Sequence, residues 1–129
     1  AERMLETHEE WARHCAAYRN SLLQGLNTLK EGYDLNMEPT QALPNCINLS
    51  IRDGNGSWLD AEAVLLALKS TLAASNGSAC TSAGMERSHV LHAQRLSDKR
   101  IRGAIRLSWC ERTTQIDCRQ VCTAVNRLL

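Results

Sequence analysis

Cys80 stands in the stretch ASNGSACTSAG, residues 74–84, where every other residue is small or turn-forming. A cysteine that packs as a small hydrophobe needs apolar neighbours to be buried with, and Ser78, Ala79, Thr81 and Ser82 offer little of that. Two readings follow: an incidental thiol on a surface loop, or a nucleophile carried on a mobile arm. Arg106 is the second residue with chemical promise. It lies between Ile105 and Leu107 in an otherwise apolar run, so it must face away from the core. A guanidinium forks around a carboxylate with two parallel hydrogen bonds, which suits an amino-acid or acid ligand. A solvated strand edge explains the pattern equally well.

The other reactive side chains point less clearly to chemistry. His89 and His92 are three residues apart and make half a zinc site, or one acid or base near Cys80. Cys118 and Cys122 fall with Val121, Val125 and Leu129 on one stripe of a helix and read as core, as does Cys15. Cys46 and Cys110 begin and end strands. No glycine-rich phosphate loop and no serine-hydrolase elbow occur.

These residues need a scaffold, and 129 residues suffice for one domain with a single core. Apolar residues make up 43% and charged ones 22%, ordinary for a globular protein. Fifteen Lys and Arg against 14 Asp and Glu leave a net charge of +1, which argues against capture of nucleic acid or anionic membrane. The start, AERMLETHEEW, is charged where a signal peptide is apolar. A cytoplasmic protein with reduced thiols is therefore expected, rather than a disulfide framework.

Apolar periodicity predicts a long helix over 5–30, with Trp11, Cys15, Tyr18, Leu22, Leu26 and Leu29 on one face and Gly32 as its stop. YDLNM (33–37) predicts a short strand, and the loop EPTQALP (38–44) leads to the alternating strand CINLSIR (46–52). After DGNG (53–56), Ser57 with Asp60 resembles a cap for a helix through about Thr71. A short helix from about Glu86 to Arg95 and a charged connector, SDKRIRG, precede the strand AIRLSWC (104–110). Thr114 with Asp117 caps a last helix. The order predicts an α+β fold: a small antiparallel or mixed sheet covered on one side by helices.

Taken together, SNGSACTSAG resembles the active-site cysteine loop of group I (NifS/IscS-like) cysteine desulfurases, in the class V aminotransferase family. MERSHVLHAQRLSDKRIRGAIRLS follows at the spacing of the segment that ends in that family's arginine strand, and LPNCINLSI and AEAVLLALKS resemble the preceding strand and helix. The resemblance covers nearly the whole chain. It implies the C-terminal small domain of a fold-type I PLP enzyme, residues 1–129, with the large PLP-binding domain absent from this sequence. Cys80 would then attack the sulfur of a PLP-bound cysteine, leaving alanine and a persulfide on itself. Ser78, Thr81 and Ser82 would belong to the loop that carries the sulfur to an acceptor protein, Arg106 would bind the substrate carboxylate, and His89 is a candidate acid or base. The sulfur would serve iron–sulfur clusters, thiolated nucleic acid or another product.

Departures from the family are specific. Lys30, Lys69 and Lys99 are the only lysines, and none has the context of the family's cofactor lysine. Cys110 and Glu111 stand where a glycine and an arginine are common, and Ser75-Asn76 replaces a common Ser-Ser pair. The resemblance therefore implies that the chain alone neither binds PLP nor desulfurates cysteine, that it binds no metal, and that its partners are the large domain and sulfur acceptors, in a homodimer when full length. A free-standing persulfide carrier and a non-catalytic module that docks a PLP subunit are the alternatives. Exposed apolar surface left by a missing domain would favour self-association.

Overall fold

The computed structural model describes residues 2–28, 32–76 and 88–128. The first helix, α1 (Glu2–Asn27), carries its apolar side chains at steps of three and four, and Cys15, Tyr18, Leu22 and Leu26 are all buried. Three strands form one antiparallel sheet in the order β1 (Tyr33–Leu35), β2 (Cys46–Ile51), β3 (Ala104–Ser108). Side chains alternate across a strand, so Ile47, Leu49 and Ile51 of β2 and Ile105 and Leu107 of β3 share one face. That face meets α1, α2 (Ala61–Leu68) and the last helix in a single core that also takes in Val64, Leu68, Ala124 and Val125. The α+β fold is thus present and the sheet is wholly antiparallel, with the three longer helices on one side; the expected one-sided cover is incomplete, because two short helices lie on the other.

Two short helices, α3 (His89–Ala93) and α4 (Asp98–Arg102), add cover at one end of the opposite face. Leu91 and Ile101 pack there on Ala104, in a small cluster separate from the main core. The connector SDKRIRG is in fact α4: Ser97 caps it by accepting from Arg100 N, and Ile101 is its only buried residue. One apolar contact in five residues leaves no periodicity to read. The expected helix over 86–95 is observed as α3, with Ser88 as its cap; residues 86 and 87 lie outside the described ones.

Other boundaries shift for local reasons. Asp60, not Ser57, caps α2 by accepting from Glu62 N at 2.9 Å. The chain stays extended before it because Trp58 bridges Arg52 and Leu59 N donates to Ile51 O at 2.8 Å. The turn between them is held by Asp53 Oδ1, which accepts from Asn55 N and Ser57 N, and Gly56 supplies the positive φ of 80°. Strand β1 stops at Leu35: Asn36 N still donates to Asn48 O at 2.8 Å, but Asn48 N donates to Met37 Sδ at 3.3 Å. The last helix, α5 (Gln115–Asn126), begins as expected: Thr114 and Asp117 form a reciprocal capping box.

Gly103 joins α4 to β3 and fixes how the arginine strand enters the sheet. A Cβ there would lie 2.3 Å from Leu59 O, a backbone atom with no freedom to move aside. Gly103→Ala is expected to cost about 1–3 kcal/mol in urea unfolding, the usual range for forced overpacking. Gly54→Ala, where a Cβ meets nothing within 4 Å, serves as the control and should change stability far less.

Candidate functional site

The face of the sheet opposite the main core is built from the residues that alternate away from it. Asn48 on β2 and Arg106 on β3 are direct cross-strand partners on it. The backbone groups of Asn48 point to β1, since Asn36 N donates to Asn48 O at 2.8 Å. Those of Arg106 point the other way, to Ser75: Ser75 N donates to Arg106 O at 3.1 Å, and Arg106 N donates to Ser75 O at 2.6 Å. Asn48 and Arg106 are therefore a non-hydrogen-bonded pair, the kind whose side chains come closest, with Cα atoms about 4.5 Å apart. The result is a row across the sheet, Asn36, Asn48, Arg106, Ser75. Arg106 is exposed, and among the described residues its guanidinium has no partner.

The Ser75 bridge also means that β3 is not a bare edge at Arg106. The described chain continues to Asn76, and Cys80 with Ser78, Thr81 and Ser82 lies outside the described residues.

A buried polar network stands behind the row. Arg100 Nε donates to Asn36 Oδ1 at 2.7 Å, and Arg100 Nη2 donates to Leu35 O at 2.8 Å. Asn36 Nδ2 donates to Asn48 Oδ1 and to Ser50 Oγ, both at 2.8 Å, while Ser50 Oγ donates back to Arg100 O at 2.9 Å. Asn36 and Ser50 are only 2% and 0% exposed. Beside them Asp34 pairs with Arg52 at 2.5 Å and with Arg100 at 3.5 Å, and both guanidinium groups lie over the Trp58 ring. The sequence reading missed this network because its members come from four separate segments. The only signal was that Asn48 and Arg106 alternate outward on strands that turn out to be neighbours.

The remaining candidates are placed as follows. His89 opens α3 and is exposed, while His92 Nε2 faces Asp98 Oδ1 at 3.5 Å. Among the described residues, no three His, Cys, Asp or Glu side chains group closely enough to hold a metal ion. The described cysteines are all free thiols. Cys15 and Cys118 are buried in the core, as their stripes predict, and burial pushes both thiols up. Burial, with the Cys118 sulfur beside it, pushes Cys122 up to about 11. Lys69 and Lys99 are exposed, and Lys30 lies outside the described residues. Two clefts of about 260 Å³ each flank α5, and neither is lined by a lysine or by Arg106.

No family model matches the chain. Cysteine desulfurase 2 of Trichormus variabilis is 34% identical over 122 residues, which cover 94% of this chain and 29% of that protein. Cysteine desulfurase IscS of Vibrio vulnificus is 38% identical over 103 residues, 80% of this chain and 24% of the relative. The chain thus spans less than a third of the curated relatives it matches. A solved NifS-like protein from Rickettsia africae superimposes with a TM-score of 0.72 at 19% identity, over 92% of this chain and 29% of that one. A second NifS-like protein gives 0.73 at 22% identity, over 95% of this chain and 29% of its own. At these identities the structural likeness speaks for the fold.

The thiols give a pH test of this geometry. Unfolding releases Cys122 to ionise near 9, whereas the folded thiol keeps its proton to about 11. A raised folded-state value stabilises the fold fully below 9 and is lost as pH rises from 9 toward 11. Stability measured by urea unfolding should fall across that window, and less steeply in Cys122→Ala. In native protein at pH 8, iodoacetamide should label exposed Cys110 well before Cys15, Cys118 or Cys122, as read by peptide mass.

Proposed function

Starting from the homology of this chain to the C-terminal part of cysteine desulfurases, we propose that it supplies the sulfur-accepting thiol and the carboxylate-binding arginine of such an enzyme. Residues 1–129 then form the small domain as one unit. Cys80 takes the sulfur of L-cysteine as a persulfide, L-alanine leaves, and the segment with Ser78, Thr81 and Ser82 delivers the sulfur to an acceptor protein. Arg106 holds the substrate carboxylate, and exposed His89 is a candidate proton carrier. The observation that carries this reading is the reciprocal backbone pairing of Ser75 with Arg106. It ties the chain leading to Cys80 directly to the strand that bears the arginine, so the two functions share one piece of backbone.

PLP is the cofactor proposed for the whole enzyme, and the residues described here do not fit it. Lys69, at the end of α2, and Lys99, on α4, are both exposed, and neither lines either cleft beside α5. The cofactor is therefore assigned to a large domain of the same enzyme, and the chain alone is expected to be inactive. A homodimer of the full-length enzyme, transient sulfur-acceptor partners and a role in iron–sulfur assembly belong to the same proposal. So does a cytoplasmic setting. No described helix is long and apolar enough to cross a membrane.

The test is release of sulfide and alanine from L-cysteine with PLP and a reductant. The chain is assayed alone, then mixed with a separately expressed PLP-binding large domain. Activity only on mixing, falling at least about a hundredfold in Cys80→Ser as expected for loss of a covalent nucleophile, supports the reading. Activity from the chain alone would overturn the assignment of the cofactor elsewhere. Sulfur uptake on Cys80 from a persulfide donor, with no activity on mixing, would favour a free-standing carrier.

A further inference from the structure

The reading of Arg106 as a carboxylate site leaves open what else the substrate's carboxylate would meet, and the hydrogen-bond row answers it. A guanidinium carries donors only. The Asn36 atom 2.7 Å from Arg100 Nε must therefore be its oxygen, which puts the Asn36 NH2 on the other side. That NH2 donates to Asn48 at 2.8 Å, so the Asn48 atom it meets must also be an oxygen. The amide orientation of Asn48 is fixed by a chain of two obligatory steps rather than by choice. Its own NH2 is turned away from Asn36, and among the described residues nothing accepts from it.

Asn48 is half-buried and is the direct cross-strand partner of exposed Arg106 on the face opposite the main core. Two side chains with donor groups and no described acceptor thus leave the sheet from the facing positions of a close-approach pair. A carboxylate has two oxygens and about four lone-pair sites, more than one guanidinium fork fills. We propose that Asn48 is a second binding residue of the Arg106 site, donating its amide N–H to the carboxylate that the arginine pairs with. Asn36 and Arg100 are positioning residues that act through Asn48. The inference rests on the carboxylate role proposed for Arg106. The ligand it predicts is a small monocarboxylate held on the sheet face, with one oxygen shared between the two side chains.

The test uses the isotopically labelled chain titrated with propionate at constant ionic strength made up with chloride. The Arg106 side-chain Nε–Hε and the Asn48 side-chain NH2 resonances are followed by NMR. The expected result is that both move along one binding curve, and that Asn48→Ala weakens binding roughly threefold to tenfold, the share of a charge-assisted hydrogen bond near solvent. Asn36→Asp keeps the acceptor for Arg100 and removes the donor to Asn48. In that variant the Asn48 response should disappear while the Arg106 response persists, whereas a purely structural Asn36 would leave the Asn48 response intact in the folded protein. Movement of Arg106 alone in the parent chain, or unchanged affinity in folded Asn48→Ala, overturns the role of Asn48 and leaves that of Arg106 standing. No movement of either resonance, or equal binding by Arg106→Ala, overturns both.

Discussion

The register between β2 and β3 is the constraint on which the rest of the molecule depends. A strand has a side-chain period of two, so pairing Asn48 with Arg106 also pairs Ile47 with Leu107 and Leu49 with Ile105. One choice of register fills the core and displays the arginine. A slip by one residue would turn over one of the two strands, either driving a guanidinium into a layer shared with Leu22, Leu26 and Val125 or turning three aliphatic side chains of β2 to the other face. The burial that stabilises the domain and the exposure that makes Arg106 available are consequences of the same ladder. Helices α1 and α5 hold that ladder from one side, and Trp109 locks its end by donating its indole N–H to Cys15 O at 3.0 Å.

The polar network on the other face works differently. Its surface ion pair, Asp34 with Arg52, is more than a third exposed on both partners and contributes little to stability. The buried members matter more. Asn36 has partners for both ends of its side-chain amide, and the Ser50 hydroxyl both accepts and donates, so no side-chain polar atom of these two is left unpaired. A satisfied network of this kind fixes orientation: each donor leaves its acceptor only one way to point. The short helix α4 is anchored to the sheet by it, through both the side chain and the carbonyl of Arg100.

Legibility in the sequence followed the same division. The two alternating strands and the long first helix could be read because each needs only its own residues to declare a period. The last helix was marked at Thr114 and Asp117, where a capping box spans three positions. By contrast α4 has no period of its own to read, because its anchoring contacts are with Asn36 and Leu35, distant in the chain. Sequence alone does not fix the start of α2, since Ser57 and Asp60 are both good caps and the Arg52–Trp58 bridge keeps the chain extended past the first of them. Arg106 was legible as a residue that must face outward. Its neighbour Asn48 was not, because adjacency between strands separated by more than fifty residues is a property of the fold.

The outer edges of the sheet have a consequence for the protein in solution. An unpaired strand edge is a template on which another chain can add a strand. Here the outward carbonyl of Leu35 on β1 is occupied by Arg100 Nη2, and both backbone groups of Arg106 on β3 are occupied by Ser75. A side chain blunts one edge and a single bridging residue blunts the other. At those positions the backbone groups that an added strand would need are already in use within the domain.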